Sequence, residues 1–244
     1  MYHKSASAVL SAVRMLFRSW FTLPLMIAVY GALLLAVYLF VSTREATVAQ
    51  VILTFSVMLA APLLFFVLQS ASVNYTTGSA GLVNKTLRDT AKLIAVTVPV
   101  IALLLLAVYL VGKLQPSSPN ALTTLTVIRY LLIGVVAPLI TIQLWIATST
   151  RGLRALIRNL RQTIGRAFAP QTLFIFAFGF LIFAVAPYFL LVQTIEIERA
   201  WLEALLLIAR VVVSALLVLL GWVITVGALS ILNAPVSEAP VIQS

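Results

Sequence analysis

Basic side chains dominate one short segment of this sequence. The stretch RGLRALIRNLRQTIGR contains no acid and five arginines, namely Arg151, Arg154, Arg158, Arg161 and Arg166. On a helix, where successive residues turn by about 100°, the arginines occupy one face and aliphatic side chains occupy the other. Such a face suits anionic lipid, a partner protein or nucleic acid. Because no nucleic-acid recognition motif or soluble domain accompanies it, we expect contact with anionic lipid, with a partner protein as the alternative.

A second group of charges lies within apolar runs. Arg129 and Arg210 stand several residues inside such runs, and Glu203 precedes Arg210 by two helical turns on the same face. A charge in hydrocarbon is expensive unless it is paired or reaches the interface. The sequence therefore predicts an outer-leaflet polar cluster of Arg129, Arg210 and Glu203. It is either a site for a substrate or lipid headgroup, or structural ion pairing, which we favour.

Catalytic chemistry has little support. Glu196 and Glu198 are close in sequence, but no catalytic partner stands near them, and the only histidine is His3. Cysteine is absent, which excludes disulfides and thiolate chemistry. There is no nucleotide-binding loop, zinc-binding helix motif or serine-nucleophile elbow. We expect no enzyme activity, no cofactor and no metal.

The composition places these side chains in a membrane protein. Of the 244 residues, 63% are hydrophobic and 9% are charged, whereas soluble domains are about half apolar and about a quarter charged. A net charge of +10 would indicate nucleic acid in a soluble chain. In a membrane chain, basic residues first report orientation and contact with anionic lipid.

Six apolar runs are long enough to cross about 30 Å of hydrocarbon, which takes roughly 20 helical residues. They are Thr22 to Val41, Val48 to Gln69, Leu93 to Gly112, Leu125 to Thr148, Thr172 to Gln193 and Ala204 to Leu232. The predicted fold is all-α, a single polytopic domain over residues 1–232 with six transmembrane helices, followed by a short tail over residues 233–244.

Three amphipathic segments, at about residues 5–20, 82–92 and 151–166, each lead into an odd-numbered span. In the first, Arg14 and Arg18 share a polar face opposite an apolar one. In the second, which has the weakest pattern, Asp89 falls on the polar face. We expect all three to lie as interfacial helices on one membrane surface. Eleven of the 16 basic residues fall on that side, so both termini are predicted to be cytoplasmic.

Two segments recur along the chain. APLLFFVLQ at Ala61 to Gln69 parallels APLITIQLW at Ala137 to Trp145, and LRDTAK at Leu87 to Lys92 parallels LRQTIGR at Leu160 to Arg166. This pattern predicts a repeated unit of span, interfacial helix and span. A third unit would be split between the first and last spans.

The segment ALIRNLRQTIGRAF, Ala155 to Phe168, resembles the basic helix of a bacterial membrane domain. That domain is found beside glycerophosphoryl diester phosphodiesterases and in related six-span families. The corresponding positions here are Arg158, Asn159, Leu160, Arg161, Gly165, Arg166 and Phe168. AVRMLFRSWFTL, Ala12 to Leu23, resembles the opening helix of the same families. The resemblance implies a multi-pass protein of the bacterial inner membrane rather than an activity.

These observations favour a non-catalytic integral membrane protein that serves as an accessory or scaffold subunit of a larger membrane assembly. Its expected partners are membrane lipids, especially anionic headgroups, and other membrane protein subunits or a second copy of itself, but not nucleic acid. The alternative is a small permease or lipid-handling protein with a site near Arg129 and Arg210.

Overall fold

The computed structural model describes residues 2–18, 21–44, 47–77, 82–113, 119–193 and 199–234, and these are helical with no strand. The α-helices are α1 Tyr2–Arg18, α2 Thr22–Ser42, α3 Val48–Asn74, α4 Leu82–Lys113, α5 Pro119–Leu131, α6 Ala137–Arg151, α7 Leu153–Arg158, α8 Leu160–Ala167, α9 Pro170–Phe180, α10 Ala186–Val192 and α11 Ala200–Asn233. Tyr75–Thr77 forms a 3₁₀ turn, and π-helical turns at Leu132–Val136 and Leu181–Val185 join α5 to α6 and α9 to α10.

Six helical stretches are long and apolar enough to cross a membrane. They are Thr22–Ser42, Val48–Asn74, Leu82–Lys113, Thr123–Arg151, Pro170–Val192 and Ala200–Asn233. An α-helix pairs its backbone N–H and C=O groups internally. A membrane span needs this because hydrocarbon offers these groups no hydrogen-bonding partner. The prediction of an all-α chain with six membrane-spanning helices is confirmed.

The best-packed part of the molecule is one end of the bundle, which we call the basic end. Here α3, α6 and α11 finish, α2, α4 and α9 begin, and α1, α7 and α8 lie alongside. A core cluster at this end includes Leu93, Ile142, Trp145, Phe176 and Val226. Most buried residues of the spans lie in the half of each helix nearest the basic end. We call the opposite end the far end.

Helix α1 packs on the bundle through small side chains. Ser5, Ala8, Ala12 and Leu16 are buried on one stripe, which lies mainly against α11. Small residues let two helix backbones approach closely. Phe17, on the predicted apolar face, is 60% exposed, so part of that face remains uncovered by protein.

Tyr75 ties three elements together at the basic end. Its hydroxyl lies 3.4 Å from the carbonyl oxygens of Ala12 in α1 and Val223 in α11. Burial raises the pKa of Tyr75 well above its usual value, so the hydroxyl stays protonated and can donate to a carbonyl. Gly227 of α11 contacts this hydroxyl so closely that the space for a Cβ is already filled.

Two π-helical turns interrupt the fourth and fifth spans at the same sequence, L-I-x-x-V-A-P. In each case the alanine before the proline donates its N–H five residues back, from Ala137 to the Leu132 carbonyl and from Ala186 to the Leu181 carbonyl. A proline ring clashes with the carbonyl four residues before it. The wider turn accommodates Pro138 and Pro187 without ending the span.

The predicted amphipathic segments differ from the structure in two places. Residues 82–92 do not form a separate helix, because α4 runs without interruption from Leu82 to Lys113. The single helix predicted over residues 151–166 is also wrong. Gly152, with φ +81°, ends α6, and Asn159 separates α7 from α8. Whether α1, α7 and α8 lie on a membrane surface, and whether the repeated units exist, remain predictions.

Candidate functional site

The five arginines of the basic segment lie at the end of α6 and along α7 and α8. All five side chains are exposed, as are those of Arg14 and Arg18 on α1. Among the described residues, the only carboxylate in an ion pair is that of Asp89, which lies on α4. The side chains expected to contact anionic headgroups are therefore uncovered.

The aliphatic face of the same segment is only partly used for packing. Leu156 is buried, whereas Leu153 and Leu160 are about two-fifths exposed and Ile157 is 70% exposed. Exposed aliphatics beside exposed arginines form an amphipathic surface. Such a surface suits the boundary between headgroups and acyl chains.

The structure places Arg129 and Arg210 on different helical hairpins. The Arg129 guanidinium lies against Gly112 near the end of α4, and the Arg210 guanidinium donates to the carbonyl of Gln193, which caps the end of α10. Glu203 is exposed, and no ion pair joins it to either arginine among the described residues. Glu196 and Glu198 lie outside the described residues. The role of this cluster as a site stays a prediction.

A cavity of about 400 Å³ lies between the spans, and none of the predicted site residues lines it. Its wall comes from the middle of five spans and the end of α3. The lining residues are Tyr30, Leu33, Phe65, Leu68, Gln69, Thr97, Val100, Ile101, Leu104, Ile133, Ala137, Pro138, Thr141, Ile142, Trp145, Phe183, Val218, Leu219 and Trp222. Nearly all of this surface is aliphatic or aromatic, so the cavity favours an apolar occupant.

The polar groups in the wall are largely paired with one another. Trp145 Nε1 donates to Thr97 Oγ1 at 2.7 Å, and Trp222 Nε1 donates to Gln69 Oε1 at 2.6 Å. These bonds connect α6 to α4 and α11 to α3 and satisfy both indole donors. Because both indole N–H groups are already bonded, the rings present apolar surface to the cavity and need no polar ligand.

Both π-helical turns contribute to the cavity. Ile133 lines it from the first turn and Phe183 from the second, and the ring of Phe183 packs edge-on against Trp222 with 5.3 Å between centroids. Wide turns of this kind often occur at functional sites because they redirect side chains within a helix. The L-I-x-x-V-A-P motif that both turns share was the signal in the sequence from which this part of the cavity wall could have been predicted.

A buried carboxylate was missed by the sequence patterns. Asp89 is 1% exposed and lies between α3 and α4, where Asn74 Nδ2 donates to it at 3.2 Å and Lys92 Nζ at 2.7 Å. The Ser70 hydroxyl of α3 donates to the Thr86 carbonyl of α4 in the same contact. The assignment of Asp89 to the polar face of an amphipathic segment was wrong, because its side of α4 meets α3 rather than water.

Within the described part of the chain, no three histidine, cysteine or acidic residues come together as metal ligands would. No protein-family model, curated protein or solved structure matches this chain.

Proposed function

We propose that this chain is a non-catalytic integral membrane protein that binds a lipid acyl chain in its central cavity. The observation that carries the proposal is the 400 Å³ apolar cavity at mid-span depth. Its volume falls in the range of about 300–1,000 Å³ typical of ligand pockets. Water is a poor occupant of an apolar cavity, and the apolar molecules surrounding a membrane span at this depth are acyl chains. This proposal keeps the lipid-handling alternative but places the binding site in the cavity rather than near Arg129 and Arg210.

The test fills the cavity from one helix. Val218 lines it, whereas Val213, one turn and a half away on α11, does not and is 46% exposed. Val218→Phe should reduce the lipid retained by the purified protein, and Val213→Phe, an identical change in size, should not. Native mass spectrometry of the two variants in mild detergent measures the retained lipid.

A fluorescence readout locates the lipid. In a variant carrying Trp20→Phe and Trp201→Phe, the two remaining tryptophans, Trp145 and Trp222, both line the cavity. Lipids brominated on the acyl chain should quench their emission, and Val218→Phe should weaken the quenching. Equal quenching with and without Val218→Phe, together with unchanged lipid retention, would refute the proposal.

The accessory-subunit role is a second candidate, and helix α5 supports it. None of the described side chains from Thr123 to Leu131 is buried, and Tyr130 is 73% exposed. A lipid-facing helix ordinarily buries one stripe against its own bundle, so a partner span would complete the packing of α5. A photo-cross-linking residue at Tyr130 should capture another membrane protein or a second copy in native membranes, and one at Leu35, 57% exposed on α2, should not. A lone protomer in both cases would count against this role.

A further inference from the structure

A second, smaller cavity lies at the basic end. It is lined by the polar residues Gln143, Thr150, Arg151, Thr163, Arg166 and Asn233, which come from α6, α8 and the end of α11. Its volume of about 10 Å³ is roughly the space that one water-sized group needs. The cavity therefore admits a single small polar group, such as one oxygen of a larger anion.

Gln143 provides a donor at the inner wall. Its side chain is 2% exposed, and the Nε2 group has no hydrogen-bond partner among the described residues. Buried polar atoms in folded proteins are nearly always paired. A group entering the cavity from outside would supply the missing acceptor.

The neutral side chains around the cavity already donate within their own helices. Thr150 Oγ1 donates to the Ile146 carbonyl, and Thr163 Oγ1 donates to the Asn159 carbonyl. Asn233 Nδ2 donates to the Leu229 carbonyl. The donors left for a ligand are the Gln143 amide, the second N–H of the Asn233 amide and the guanidinium groups.

The charge that the described residues bring to the lining is positive. Arg151 and Arg166 contribute guanidinium groups, and none of the described carboxylates lines the cavity. Among the described acids, Asp89 is held by Lys92, and Glu203 lies near the start of α11, at the far end. Guanidinium groups bind phosphate oxygens through strong, charge-assisted hydrogen bonds. The lining is therefore suited to an anion.

The geometry points to a phosphate-binding site in which one phosphate oxygen accepts from Gln143 while Arg151 and Arg166 bind the remaining oxygens. The phosphate comes from a lipid headgroup or from free phosphate in solution. The site is separate from the apolar cavity and does not rest on it. Pro138, Thr141, Ile142 and Trp145 of α6 face the apolar cavity, whereas Gln143, Ile146, Ala147 and Thr150 lie on the opposite side of the same helix.

The test compares two variants that lose the same charge. Arg151→Gln with Arg166→Gln removes both arginines of the cavity, and Arg154→Gln with Arg161→Gln removes two exposed arginines that do not line it. Gln143→Leu removes the inner donor with no change in charge. Thermal unfolding of each variant identifies any that fail to fold. Binding is measured by native mass spectrometry with phosphatidylglycerol and phosphatidylcholine, and by calorimetry with inorganic phosphate.

The cavity variants should bind phosphatidylglycerol more weakly by on the order of tenfold, since each loses charge-assisted or buried hydrogen bonds. The Arg154 and Arg161 control should change binding by less than about threefold. Saturable binding of inorganic phosphate, lost in the same variants, would assign the site to free phosphate. Equal losses in both arginine pairs, or an unchanged Gln143→Leu variant, would overturn the proposal and leave only a diffuse basic surface.

Discussion

A single side chain shows how far residue types alone can be interpreted. In sequence, Asp89 stands between basic residues on an amphipathic segment, which is typical of a solvated face. In the structure it is buried against Asn74 of α3. The pattern within one helix cannot reveal this, because the partner donor comes from a different helix 15 residues away. The exposure of the arginines could be predicted from the sequence, because an exposed charge needs no partner from another helix.

The ion pair between Asp89 and Lys92 should contribute to the stability of the folded protein. Lys92→Met should lower the stability of the folded protein by about 1–3 kcal/mol because a buried carboxylate loses its cation, although water reaches the 36% exposed lysine and limits the loss. Adding Asp89→Asn should recover part of that loss, since a neutral amide needs no counter-charge. The thermal midpoint in detergent should move by about 2–4 °C per kcal/mol.

The neighbouring Arg88 supplies the control for this pair. It lies 4.0 Å from the Asp89 carboxylate, but its side chain is 73% exposed. Arg88→Met should therefore shift stability by no more than about 0.5 kcal/mol. If Arg88→Met and Lys92→Met lowered the midpoint equally, the buried pair would have no special role.

At the scale of helices, length and hydropathy located every span, because about 20 apolar residues leave few alternatives to a membrane helix. Breaks within helices were harder to predict. The hydrophobic periodicity of residues 151–166 predicts one continuous helix and does not reveal the break at Gly152, whose positive φ ends α6. The π-helical turns before Pro138 and Pro187 were likewise missed, because a proline within a span predicts a kink without specifying the turn that relieves it.

Helix contacts depend on where small residues allow close approach, and Gly227 tests this. An added methyl group would overlap the Tyr75 hydroxyl, which joins the turn after α3 to α1 and α11. Gly227→Ala should therefore destabilise the fold by about 1–3 kcal/mol, the usual range for overpacking. Gly31, in the middle of α2, has no atom within 4 Å of an added Cβ.

Gly31→Ala is thus the matched control, and its effect should have the opposite sign. An alanine in a helix interior is favoured over glycine by roughly 0.5–1 kcal/mol because the unfolded chain loses freedom. The midpoints of thermal unfolding of the two variants, purified in the same detergent, provide the comparison. A Gly227→Ala midpoint at or above that of Gly31→Ala would show that this helix contact tolerates a larger separation.

For the molecule as a whole, the two ends of the bundle differ in packing and in charge. The basic end holds most of the buried residues, the Tyr75 contact and the exposed arginines of α7 and α8. At the far end the helices bury few residues. The basic end could be predicted from charge, but the central cavity could not. A cavity depends on which faces of separate spans meet, and no single span encodes that.

The charge asymmetry predicts how the molecule lies in the membrane. Lysine and arginine are retained on the cytoplasmic side during insertion, so the basic end should face the cytoplasm and the start of α11 should face outward. Gln162 on α8 and Ala200 on α11 are both exposed, and the chain has no cysteine of its own. A membrane-impermeant maleimide should therefore label Ala200→Cys in intact spheroplasts. Gln162→Cys should react only after permeabilisation. The reverse pattern would place the phosphate site on the outer surface and remove the cytoplasmic leaflet as the source of its ligand.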